Sequence, residues 1–140
     1  HNLAFEKLYL NRWFSFFVTL PTGGPCAHTF KRYHMDHHKY QGEDGVDVVI
    51  PTALEGKLFQ GPIGKFLFVF FQLVFFAVRH AFINPHKKYG RMEAANWIIQ
   101  LTFDAAIAYY WGLWALGYLW LSTFLGCGLH PGAAHFFAEH

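Results

Sequence analysis

Three imidazoles, those of His34, His37 and His38, stand in the stretch FKRYHMDHHKYQGEDGVDV at residues 30–48. On a helix their spacing of i, i+3 and i+4 brings all three to one face within a single turn. Neutral imidazole ligates iron, copper, nickel and zinc. Three rings so close would repel one another as imidazolium, so the cluster favours the deprotonated, ligating form. The competing reading is a solvated helix that happens to be rich in histidine, and it must set aside the other suggestive histidines, His1, His130, His135 and His140. No cysteine pair supplements them. Cys26 and Cys127 are far apart and form no CxxC, which argues against a disulfide framework, a thiolate metal site, an iron–sulfur cluster or a blue-copper centre. Zinc and iron remain, and haem stays open.

Composition places such a cluster next to lipid. Phe, Trp and Tyr make up 21% of the 140 residues and charged residues only 14%, against roughly a quarter charged in ordinary soluble domains. The formal charge of +2 gives no footprint for nucleic acid. All eleven Lys and Arg lie at or before Arg91, which by the positive-inside rule puts that part mainly at the cytosolic side. The chain opens on His1 inside helix-like text and stops on His140 without a stop signal, so residues 1–140 read as an internal piece of a longer protein.

The elements that must position the histidines follow from periodicity and breakers. Residues 1 to about 20 read as a helix closing on Pro21, and PTGGP at 21–25 turns the chain into the histidine helix. After Tyr40, QGEDGVDVVIPT reads as an ordered loop carrying Glu43, Asp44 and Asp47. The apolar run 66–78 would span about 20 Å as a helix, short of a roughly 30 Å hydrocarbon core, and reads as interfacial or re-entrant. Its flanking Lys57, Lys65, Arg79 and His80 would meet headgroups. Residues 83–93 form a hydrophilic elbow. The apolar region from Ala94 to Leu129 should fold as two short spans turning near Gly112 to Gly117, with Asp104 facing protein or water rather than lipid. That hairpin would return His130, His135 and His140 to the side of the first cluster. Pro131 could open a helix with His130 just before it, and His135 and Glu139 would then share a face. The fold class is therefore all-α, integral membrane helices with a histidine-box cap on the cytosolic side. Trp97, Tyr109, Tyr110, Trp111, Trp114, Tyr118 and Trp120 read as an interface belt and packing residues before a substrate channel.

HMDHHKY resembles the second histidine box, HxxHH, of the membrane fatty acid desaturase and hydroxylase superfamily. The wider text NRWF at 11–14, LPTGGP at 20–25, the block at 30–52, INP at 83–85, LGCGLHP and HFFAEH resembles the sphingolipid Δ4-desaturase branch across essentially the whole chain. The resemblance implies that His1 is the second histidine of a first HxxxH box whose partner lies upstream, and that a third box lies downstream. It also implies a further iron ligand in HFFAEH, with His140 preferred over His135, while His130 caps a helix. The implied metal ligands are thus His1, His34, His37, His38, His140 and His135. Ligating imidazoles usually hand their other N–H to a carboxylate or carbonyl, and Asp44, Asp47, Asp36 and Glu139 are the candidates, the first two preferred.

The chemistry so implied is oxygen-dependent dehydrogenation of dihydroceramide at two Fe ions in the endoplasmic reticulum membrane. NADH electrons would arrive through cytochrome b5 and its reductase. Lys31, Arg32, Lys39, Lys87, Lys88 and Arg91 would offer a basic surface to that acidic donor, or else a rim facing headgroups. A C4-hydroxylase on the same scaffold and a zinc-binding, non-redox membrane protein are the alternatives. The 140 residues alone, short of an upstream histidine and the third box, are expected to show no turnover.

Overall fold

Each element begins or ends where the sequence supplies a cap or a breaker. The computed structural model describes residues 4–83 and 90–134, and every regular element among them is helical: α1 (Leu8–Thr19), α2 (Ala27–Lys39), α3 (Ala53–Leu58), α4 (Gly61–Phe70), α5 (Gln72–Ile83), α6 (Arg91–Trp111) and α7 (Leu113–Gly128), with short 3₁₀ turns at Leu20–Thr22 and Pro131–Ala134. They form two compact units, residues 4–32 with 90–123 and residues 33–83 with 124–134.

In the first unit, Asn11 ties down the start of α1. Its Oδ1 accepts the Phe5 N–H at 2.9 Å, and its Nδ2 donates to the carbonyls of Phe5 and Lys7. Pro21 stops the helix and the chain reverses at Gly23, whose φ of +68° and close approach to the Trp120 indole both exclude a Cβ. α2 then starts alongside α6. The His28 ring lies 4.7 Å from that of buried Phe16, and the Asn96 Oδ1 accepts the His28 N–H at 3.3 Å.

α6 is built inside out. Glu93, Asn96, Gln100 and Asp104, at helical spacing, are all buried, while Ile98, Tyr109, Tyr110 and Trp111 are exposed. Each of these four side chains makes at least one hydrogen bond, as the cost of desolvation demands, although the Gln100 Oε1 is buried without a partner among the described residues. Arg32 donates to Glu93 at 2.8 Å, and the Gln100 Nε2 donates to the Leu20 carbonyl at 3.0 Å and to Asp104 at 2.9 Å. Asp104 thus faces protein, as its apolar surroundings in the sequence require. Arg32, offered above as part of a basic docking surface, is committed to Glu93. α6 ends at Gly112, where the sequence places the turn between two short spans.

In the second unit, Thr52 and Glu55 form a reciprocal capping box that starts α3. The apolar run expected to be a single helix is broken: α4 and the Gln72–Arg79 part of α5 meet at a 67° bend at Phe71. Phe70 packs edge-on against Phe124 at 5.2 Å, and Phe59, Phe68 and Phe75 form a ring cluster with centroids 5.0–5.8 Å apart. Among the described residues no single helix is long and apolar enough to cross a membrane, whereas the bent α4–α5 pair together has the length and composition of a span.

One expectation is corrected by this packing. Arg79, placed by the sequence among headgroup-facing flanks, is 6% exposed and turned inward onto Glu55.

Candidate metal centre

The last turn and a half of α2 carries His34, His37 and His38, of which His34 and His37 are buried and His38 lies nearer the surface. Helical spacing brings the rings together, with centroids 4.5 Å apart for His34 and His38, 5.7 Å for His37 and His38 and 5.9 Å for His34 and His37. The Nε2 atoms of His34 and His38 face each other at 3.1 Å.

The loop after α2 supplies the carboxylate. Consecutive turns, Glu43 N–H to the Tyr40 carbonyl at 2.9 Å and Asp47 N–H to the Glu43 carbonyl at 3.0 Å, fold GEDGVD back over the helix end. Gly42 makes this possible with a φ of +79°, and its N–H is donated to the Asp47 Oδ2 at 3.0 Å. The same Oδ2 receives the His37 Nδ1–H at 2.9 Å, and Oδ1 accepts the Val49 N–H at 2.9 Å. Burial pushes the Asp47 carboxyl up, but hydrogen bonds from Gly42, His37 and Val49 outweigh it and hold the group below its ordinary value. An ionised, buried carboxylate on Nδ1 fixes the His37 tautomer in which Nε2 carries the lone pair.

Of the carboxylates offered by the sequence, Asp47 contacts a ring. Asp44 is exposed, and Asp36 is half-buried on α2 with its carbonyl accepting the Tyr40 N–H at 2.8 Å. His1, His135, Glu139 and His140 lie outside the described residues. His130 precedes the Pro131–Ala134 turn and its carbonyl accepts the Ala133 N–H at 2.8 Å, the capping position given to it above. Among the described residues, no three His, Cys, Asp or Glu side chains converge as a complete metal shell.

The donors present nevertheless suit a metal ion. The Nε2 atoms of His34 and His38 share a hydrogen bond at 3.1 Å, which brings two potential ligating nitrogens to one point on the helix face. Uncharged nitrogen donors, one oriented by a buried carboxylate, match iron or zinc.

Sequence reasoning missed the arginine that holds the chain just after Asp47. Arg79 donates to the carbonyls of Val48 and Val49 at 3.3 and 2.8 Å while its Nε spans both Glu55 oxygens at 2.9 and 3.0 Å. The signal available in the sequence was an arginine closing an apolar run, which has the same appearance whether it points inward or outward.

The family model described as Fatty acid desaturase matches residues 1–140. The sphingolipid delta(4)-desaturase DES1 of Homo sapiens is 49% identical over 142 aligned residues, covering all of this chain and 44% of its own length. The sphingolipid delta(4)-desaturase DES1-like protein of Oryza sativa subsp. japonica is 46% identical over 140 residues, covering all of this chain and 42% of its own. The sphingolipid delta(4)-desaturase/C4-monooxygenase DES2 of Rattus norvegicus is 47% identical over 142 residues, again all of this chain and 44% of its own. The chain therefore spans less than half the length of these relatives. No solved structure matches it. With a family model matched over residues 1–140, the chain belongs to the fatty acid desaturase family.

Proposed function

We propose that the complete enzyme containing this chain introduces a Δ4 trans double bond into the sphingoid chain of dihydroceramide to give ceramide. O2 is the co-substrate, and NADH electrons arrive through cytochrome b5 reductase and cytochrome b5. The observation that carries the reading is the pairing of the His34, His37 and His38 face with a buried Asp47 carboxylate, in a chain whose relatives are named sphingolipid delta(4)-desaturases. Two iron ions would be held by these three histidines together with His1, His140 or His135, and ligands from outside the chain. Bound iron would supply the oxygen-activating redox chemistry needed at an unactivated methylene.

The chain's own residues hold that chemistry in place. Asp47 keeps the His37 Nδ1 proton and points Nε2 away from the loop, and Gly42 and Val49 keep Asp47 ionised. The inside-out α6 and the bent α4–α5 pair support embedding in a lipid bilayer, and the proposal places that bilayer in the endoplasmic reticulum with the histidine face on the cytosolic side, where the Lys and Arg at or before Arg91 would lie.

The test is product and metal analysis of the full-length enzyme with dihydroceramide, O2 and the electron donors. Ceramide together with two irons per chain is expected, and one zinc with oxygen-independent activity overturns the proposal. A second reading, C4-hydroxylation, is favoured by the monooxygenase in the rat relative's name. A product consisting only of phytoceramide would establish it instead.

A further inference from the structure

The geometry points to Arg79 and Glu55 as positioning residues for the metal centre, acting on His37 through the Asp47 loop. This inference rests on the proposed function. The two side chains lie in the second unit, and among the described residues their hydrogen bonds go to no histidine. The Arg79 side chain is 6% exposed. Its Nε straddles the Glu55 carboxylate at 2.9 and 3.0 Å, its Nη1 donates to the Val48 carbonyl at 3.3 Å and the Val49 carbonyl at 2.8 Å, and its Cζ lies 5.8 Å from the centroid of the Phe68 ring.

Val49 is the hinge of the argument. Its carbonyl is held by Arg79, and its N–H is held by the Asp47 Oδ1 at 2.9 Å. The other Asp47 oxygen holds the His37 Nδ1. A connected run of hydrogen bonds thus leads from Glu55 through Arg79, Val49 and Asp47 to a candidate ligand. Glu55 is fixed in turn, because its Oε2 accepts the Thr52 N–H and the Thr52 hydroxyl within the α3 capping box.

A plain packing role explains this poorly. Desolvating a guanidinium and a carboxylate costs about as much as their attraction returns, and apolar residues of similar volume commonly serve packing as well or better. What a buried arginine adds is direction: its planar fork meets a carboxylate on one edge and carbonyls on another, a geometry that the point charge of lysine does not reproduce. Arg79 sits where α5, α3 and the loop come together. Its loss should free the Val48–Val49 peptides, let Asp47 drift and loosen the His37 ring.

The experiment uses the full-length holoenzyme with Arg79→Lys, Glu55→Gln, Asp47→Asn and the double variant Arg79→Lys/Asp47→Asn. Four readouts are taken: kcat and KM separately, the rate of iron release to a chelator, and hydrogen exchange of the Val49 amide in iron-free protein. Loss of an outer partner of a metal ligand typically costs about 10- to 100-fold in affinity or activity. Arg79→Lys should therefore lower kcat and speed iron release by about 10-fold or more, while KM stays within about twofold and the Val49 amide exchanges faster. The double variant should be little worse than Asp47→Asn alone, because both changes act on the same ring. Glu55→Gln, which keeps a neutral hydrogen-bonding side chain of the same length, should show the same pattern at smaller size if Arg79→Lys fails to accumulate. Wild-type iron release and kcat in both Arg79→Lys and Glu55→Gln, or effects that multiply in the double variant, overturn the positioning role. A wild-type enzyme that holds no iron overturns the proposed function and this inference together.

Discussion

The Asp47 Oδ2 lies 2.9 Å from the Nδ1 of His37, and both side chains are buried to within a few per cent. A carboxylate ten residues downstream therefore decides which nitrogen of that ring is available for ligation. Asp47→Asn, which keeps the shape and removes the charge, should lower iron retention and desaturation by about 10- to 100-fold, while Asp44→Asn, at an exposed position, should leave both within about twofold. Iron content and turnover measured side by side decide this. Equal losses in the two variants would show that the loop, rather than the Asp47 contact, is what matters.

Single replacement of His34, His37 or His38 by Ala in the full-length enzyme should abolish turnover and leave membrane insertion intact. The three rings lie within 6 Å of one another on one helix face, so loss of any one removes a donor from the same centre. Metal analysis should follow activity down. Full iron content in a His38→Ala protein would remove His38 from the ligand set.

Gly23→Ala should destabilise the protein by at least about 1–2 kcal/mol, because an L-residue at positive φ is strained and the added methyl meets the Trp120 ring. Gly24→Ala is the internal control: a Cβ there meets nothing within 4 Å. Thermal unfolding in detergent compares them, and equal midpoints would contradict the packing described at the PTGGP turn.

His28 gives the first unit a pH dependence with a definite sign. Burial, with the Lys31 and Arg12 charges adding to it against a backbone hydrogen bond that favours protonation, holds its pKa below the ordinary 6.5. The neutral ring is favoured in the fold. Its contribution is complete above the unfolded pKa and is lost as pH falls through the lower folded value. His28→Gln should therefore flatten the stability profile between about pH 7.5 and pH 5. An unchanged slope in the variant would assign the acid sensitivity to another group.

Much of this was legible before any coordinates. The i, i+3, i+4 histidines, the breaker at PTGGP, the turn at Gly112 and the inward-facing Asp104 all follow from local spacing and from the cost of leaving a polar group in an apolar stretch. What escaped depends on partners distant in sequence. Asp44 and Asp47 look alike until the two turns after Tyr40 aim one of them at His37. The bend at Phe71 lies in an apolar run interrupted only by Gln72, with neither Gly nor Pro at the break. Nothing local to Arg79 or Arg32 points to Glu55 and Glu93, their partners 24 and 61 residues away.

The inverted α6 also bears on how the protein must be handled. A helix that shelters Glu93, Gln100 and Asp104 while presenting Tyr109, Tyr110 and Trp111 outward keeps its hydrogen-bonded seam in an oily medium and offers its sticky side to whatever surrounds it. Stripped of amphiphile, such a surface drives molecules onto one another through their aromatic sides while the internal seam stays closed. Aggregation during purification would then report a missing solvent rather than an unfolded chain.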